Sequence, residues 1–157
     1  MKPSVYIETS IVSYYTARPS RDLIIAGRQQ MTRDWWENER HRYSLYVSAL
    51  VLRESRQGEP SAARKREQVL RSIAVLETSE ATEHLAAMLV KEGSIPSGYP
   101  EDALHIAVAA TGEMDYLLTW NFRHINNAQT RSAIAGVVES FGLVCPVICT
   151  PEELKGE

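Results

Sequence analysis

The chain has 157 residues, 44% hydrophobic and 24% charged, a length that suits one domain over 1–157 able to bury about two thirds of its unfolded surface without a disulfide or structural metal. Seventeen basic residues against twenty acidic ones leave a net charge of −3, which argues against a protein that coats nucleic acid through bulk charge and leaves only local basic patches, such as Arg18 with Arg21 and Arg64 to Arg71. No apolar run approaches the roughly 18 residues of a membrane span and no leader pattern opens the chain, so a cytoplasmic protein with no membrane partner is expected.

Residues 4–7, SVYI, form a short β-rich run, and Thr9 or Ser10 then offers a helix cap, so a strand-to-helix junction is expected there. After Arg18, Pro19 and Ser20, the positions Leu23, Ala26, Gly27, Met31 and Trp35 follow helical spacing, with Gln30 out of pattern. Residues 43–47, YSLYV, repeat the first junction: a strand, Ser48 as a cap, and a helix closed by Gly58. Two helices follow, from Pro60 to about Ala74 through Val69 and Ile73, and from Ser79 to Glu92 through Leu85 and Leu89; both read as structural.

Two glycines and two prolines make GSIPSGYP, 93–100, a loop. Beyond it EDALHIAVAATG is a nearly all-apolar helix and DYLLTW a buried strand ending at Trp120. A last helix, from about Asn127 to Phe141, precedes a strand near Val147 and Ile148. Cys145 and Cys149 sit on that strand about 13 Å apart, beyond the ~7 Å disulfide limit, so two reduced thiols are expected. Strands alternating with helices, without hairpin turns, predict an α/β fold with right-handed crossovers and a mainly parallel sheet covered on both faces.

In such a sheet ligands bind beyond the carboxyl ends of the strands, where the strand order reverses. Glu8 ends the first strand, Glu54 lies on the helix after the second, Asp102 opens the buried helix and Asn121 follows LLTW. Each also has an ordinary role open to it. Glu8 and Asp102 suit the first turn of a helix, Glu54 can pair with Arg53 or Arg56, and Asn121 is a common turn residue.

Together they suggest more. Carboxylates ~5 Å apart repel by about 3 kcal/mol per pair at an effective dielectric of ~20, so their clustering calls for a cation, and all-oxygen ligands favour Mg²⁺ or Mn²⁺ over zinc. Such an ion activates water and stabilises charge on a phosphodiester, so phosphodiester hydrolysis is the natural reaction. Thr9 is placed to orient Glu8, and Arg123 to contact substrate phosphate. His105 and His124 fall near the mouth and read as structural. A phosphoacceptor receiver domain also uses acids at strand ends, but it needs an aspartate closing an early strand, and none is placed there.

The segments VYIETSIVSYY, SALVLRE and above all PEDALHIAVAATGEMDYLLTWNFRHI resemble the PIN-domain nucleases, and within them the VapC-type toxins of toxin–antitoxin pairs. The resemblance covers nearly the whole chain. It implies a PIN-like three-layer sandwich, with the family's catalytic acids at Glu8, Glu54 and Asp102, the fourth position at Asn121 and a supporting hydroxyl at Thr119. It further implies an endoribonuclease acting on RNA, a small antitoxin partner and a homodimer. The family normally has aspartate where this chain has Glu8, and commonly where it has Asn121. A PIN fold that has lost catalysis and serves as a binding or regulatory module is therefore the alternative.

Overall fold

The computed structural model describes residues 1–156. Five strands, β1 (Ser4–Ile7), β2 (Ser44–Ser48), β3 (Ala74–Leu76), β4 (Tyr116–Leu118) and β5 (Val147–Cys149), form one sheet in the order β3-β2-β1-β4-β5. Every neighbouring pair is parallel, with Tyr6 opposite both Tyr46 and Leu117. Seven helices connect them: α1 (Thr9–Thr16), α2 (Leu23–Asn38), α3 (Ala49–Ser55), α4 (Pro60–Leu70), α5 (Glu80–Lys91), α6 (Pro100–Thr111) and α7 (Arg131–Ser140).

The order explains the layers. From β1 the chain steps outward to β2 and then β3, whereas β3 to β4 and β4 to β5 run the other way. Right-handed crossovers put connections of opposite direction on opposite faces. Accordingly α1 packs with α2, α3 and α4, while α5 packs with α6 and α7. The central strands are covered on both sides: Val5, Tyr6, Ile7, Leu117 and Leu118 are fully buried. The three-layer α/β sandwich with a parallel sheet expected from sequence is present.

Several boundaries shift. The helix read as running to Ala74 ends at Leu70, and Ala74–Leu76 forms the edge strand β3 instead, pairing with β2. Its residues are largely exposed and only three long, so the strand has no alternating apolar pattern to betray it. The last helix starts at Arg131 rather than Asn127, whose side chain holds a turn by accepting from Gln129 N–H. After α5, Gly93 adopts φ +80° and closes the helix in the left-handed conformation that glycine tolerates. Both cysteines are free, and burial pushes the Cys149 thiol up to about 12, so it stays a protonated core group.

Candidate active site

The strand order reverses between β1 and β4, and the candidate residues gather at the carboxyl ends of these strands. Glu8 directly follows β1 and is the N-cap of α1, its backbone extended and its side chain accepting from Ser10 N–H at 3.1 Å. Although 94% buried, it is well supplied with donors: Oε1 accepts from Ser10 Oγ at 2.5 Å and from Thr119 Oγ1 at 2.6 Å. Ser10 in turn accepts from Trp120 N–H, and Thr119 from Asn121 N–H, so Glu8 ties the ends of β1 and β4 together.

Thr9 does not orient Glu8. The first turn of α1 carries its hydroxyl to Glu54, where it donates to Oε1 at 2.5 Å; Ser10 takes the place assigned to Thr9 because residue i+2 of a capping turn faces back toward the cap side chain.

Glu54 lies on α3 and accepts a second hydrogen bond from His105 Nε2, 2.8 Å away. His105, 99% buried on α6, has its Nδ1 2.7 Å from Tyr6 Oη, which is 2.7 Å from Ser48 Oγ. One set of protons satisfies the chain. Val51 N–H donates to Ser48, Ser48 O–H to Tyr6, Tyr6 O–H to His105 Nδ1, and His105 Nε2–H to the Glu54 carboxylate. Burial lifts the Tyr6 hydroxyl above its ordinary range, which keeps it protonated for this role. At Glu54 burial alone acts to raise the carboxyl, but the hydrogen bond from His105, the Thr9 hydroxyl and the nearby Arg53 charge outweigh it and hold the group below the usual glutamate range.

Glu8, Glu54 and His105 each offer a ligand atom, and these atoms lie within 4.8 Å of one another. Asp102 is not in that set. It stands beside it on the first turn of α6, lining with Arg53, Glu54, Gln57, Tyr99 and Glu101 a cavity of about 300 Å³. Its Oδ1 accepts from Asn121 Nδ2 at 3.1 Å, and its Oδ2 lies 2.8 Å from His124 Nδ1. Asn121 Oδ1 meanwhile accepts from His124 N–H at 3.0 Å. Asn121 and His124 thus clamp Asp102, and Asn121 combines its turn role with contact to the acid. Arg123 is exposed, its guanidinium over the Tyr99 ring at 5.6 Å.

Two residues read as structural, His105 and His124, each partner a candidate carboxylate. His105 carried one usable signal: at three residues beyond Asp102 it shares a helix face with it. A cavity of about 780 Å³ lies at the opposite end of the sheet around Pro3, Met114, Tyr116 and Val147, away from this cluster.

No family model matches the sequence, and no curated protein matches it. Solved structures do share the fold. VapC20 from Mycobacterium tuberculosis, a toxin that cleaves the sarcin-ricin loop, superposes with a TM-score of 0.57 at 16% identity over 77% of this chain and 92% of its own. A chain of VapBC2 from Rickettsia felis, solved bound to a DNA fragment from their promoter, gives 0.60 at 13% identity over 93% of this chain and 97% of its own. The chain therefore has the PIN-like α/β fold of these VapC and VapBC structures.

Proposed function

We propose that the chain is a metal-dependent endoribonuclease that hydrolyses RNA phosphodiester bonds, and that it is the toxin of a toxin–antitoxin pair. The observation that carries the reading is the meeting of Glu8, Glu54 and His105 within 4.8 Å at the switch point of the sheet. The RNA and antitoxin parts draw support from the sequence resemblance and from fold neighbours that include a sarcin-ricin-loop-cleaving toxin and a VapBC complex.

The donor set fits a divalent cation. Two carboxylates this close repel by about 3 kcal/mol at an effective dielectric of ~20, a cost that a cation reverses. Glu8, Glu54 and Asp102 would hold Mn²⁺ or Mg²⁺, the hard cations that carboxylate oxygens favour. Such an ion supplies a bound water of lowered pKa and stabilises charge on the phosphodiester oxygens.

The protein's own share is positioning. Ser10 and Thr119 fix Glu8, Thr9 and His105 fix Glu54, and Asn121 with His124 fix Asp102. Arg123, at the rim, would contact substrate phosphate. The partners in this reading are RNA, a small antitoxin and a second copy of the chain, and the setting is the cytoplasm. No helix among the described residues is long and apolar enough to cross a membrane.

One observation favours the binding-module reading: both oxygens of Asp102 already have protein partners. RNA incubated with the protein in Mn²⁺ and in chelator separates the two. Metal-dependent cutting that Glu54→Gln abolishes supports the nuclease; intact RNA under every condition, with binding retained, supports the module.

A further inference from the structure

Beyond Gly93 the chain folds back over the end of α5, so that Ile95 N–H donates to Leu89 O at 3.1 Å. The reversal buries Ser94, which is 4% exposed. Its hydroxyl has no hydrogen-bond partner among the described residues, although a serine hydroxyl can both donate and accept. A buried hydroxyl left unpaired opposes folding, so its presence calls for something that bonds it.

Ser94 forms part of the wall of a groove of about 550 Å³ between the last turns of α5 and α7, with Met88 and Glu92 on one side and Gly136, Val137 and Ser140 on the other. A groove of this size takes a small molecule. Gly136 leaves its middle open: nothing lies within 4 Å of where a Cβ would stand. The polar groups offer acceptors. Ser140 already donates its O–H to Val137 O at 2.6 Å, so its free lone pairs can only accept. Glu92 adds a carboxylate that no basic side chain pairs with among the described residues, and Lys91, the basic residue of the same helix end, is not part of the lining. Both helices also end here, and the carboxyl end of a helix favours positive charge.

We propose that the groove between α5 and α7 binds an aliphatic primary amine in its ammonium form. Glu92 supplies the counter-charge, Ser94 and Ser140 accept hydrogen bonds from the ammonium, and Met88 and Val137 pack against the methylenes. The groove shares no residue with the carboxylate cluster, and the proposal does not depend on the ribonuclease reading. The simpler occupant is a water on Ser94, which would need neither Glu92 nor the open space at Gly136.

Calorimetric titration and thermal melts of the full chain in chelator test it, with putrescine as the probe and butanediol as its uncharged analogue. The parent should bind putrescine and melt higher with it, and should not respond to butanediol. Glu92→Gln and Ser94→Ala should each weaken binding about tenfold or more, the scale of a lost hydrogen bond to a charged group. Without putrescine Ser94→Ala should melt no lower than the parent, because it removes a hydroxyl that bonds nothing. Gly136→Leu fills the groove and should abolish binding while raising the melting temperature, since glycine is costly inside a helix. Glu54→Gln, which alters the carboxylate cluster, should bind putrescine as the parent does.

Binding that is lost in Glu54→Gln and kept in Gly136→Leu would put the amine at the carboxylate cluster and overturn the site. Equal binding of butanediol overturns the ammonium assignment, and a parent that takes up no putrescine at millimolar concentration overturns the proposal outright. A Ser94→Ala variant that melts lower and binds putrescine as tightly would show that the hydroxyl holds only a structural water. None of these outcomes bears on RNA cutting, which stands or falls separately.

Discussion

His105 Nε2 lies 2.8 Å from Glu54 Oε1, across 51 residues of sequence and from a side chain that is 99% buried. The contact is part of why the Glu54 carboxyl titrates below the ordinary glutamate range despite the opposing effect of burial. A depressed folded-state pKa means that the unfolded chain takes up the proton first as pH falls. The stability that Glu54 contributes is therefore complete above the unfolded value of about 4.3 and is lost as pH drops through the lower folded value. Denaturant melts of the metal-free protein between about pH 3 and pH 6 should show this loss, and Glu54→Gln should flatten its share of it. An identical acid slope in the mutant would contradict the assignment.

The same contact makes His105 a positioning residue for Glu54. His105→Gln should weaken Mn²⁺ binding by about 10- to 100-fold, the scale seen when a partner behind a metal ligand is removed. Calorimetric titration with Mn²⁺ measures this. Unchanged affinity would mean that Glu54 needs no help from α6.

Tyr6 supports that histidine from beneath. Tyr6→Phe deletes the hydroxyl between Ser48 and His105, both of them 1% exposed, and leaves two buried polar atoms each short of a partner. The expected cost is about 1–3 kcal/mol in chemical denaturation. A change below about 0.5 kcal/mol would show that the chain from Ser48 to Glu54 is not a satisfied network.

Ser10 both donates to Glu8 and accepts from Trp120 N–H. Ser10→Ala gains a few tenths of a kcal/mol in helix propensity, but strands a backbone donor and loosens a buried carboxylate at about 1–3 kcal/mol, so net destabilisation is expected. Thr9→Val removes only a donor to Glu54 and should cost less. Equal melting temperatures for Ser10→Ala and the parent would refute the role given to Ser10.

Asn121→Asp replaces the 3.1 Å amide contact to Asp102 with a second carboxylate. Without metal the pair repels by about 4 kcal/mol at a dielectric of ~20 before relaxation, and the melting temperature should fall. With Mn²⁺ the added anion becomes a hard ligand, so the metal-induced gain in melting temperature should exceed the parent's. An equal or smaller gain would mean that position 121 does not face the ion.

The sequence made the central strands and the residues that follow them readable, because SVYI and YLL are apolar runs flanked by caps and acids. That is why Glu8, Glu54, Asp102 and Asn121 could be picked out and why the structure finds them at one end of one sheet. What escaped was tertiary. The pairings of His105 with Glu54 and of His124 with Asp102 span 51 and 22 residues, and the helix spacing that sets His105 on the face of Asp102 does not name a partner on another element. Thr9 and Ser10 were indistinguishable as neighbours of Glu8 until the turn into α1 sent one hydroxyl to Glu54 and brought the other back. Strand β3 was hidden for a different reason. Ile73 and Leu76 fit helical spacing, and a three-residue edge strand is too short to establish a period of two.

Whether this carboxylate cluster holds one divalent cation is decided by titrating Mn²⁺ into metal-free parent and metal-free Glu54→Gln while following heat and melting temperature. One ion per chain is expected for the parent, with a stability gain that grows with free Mn²⁺ toward about 2.7 kcal/mol at a hundred times the dissociation constant, and little or none for Glu54→Gln. A parent that takes up no Mn²⁺, or a Glu54→Gln variant that binds it as tightly, would contradict it.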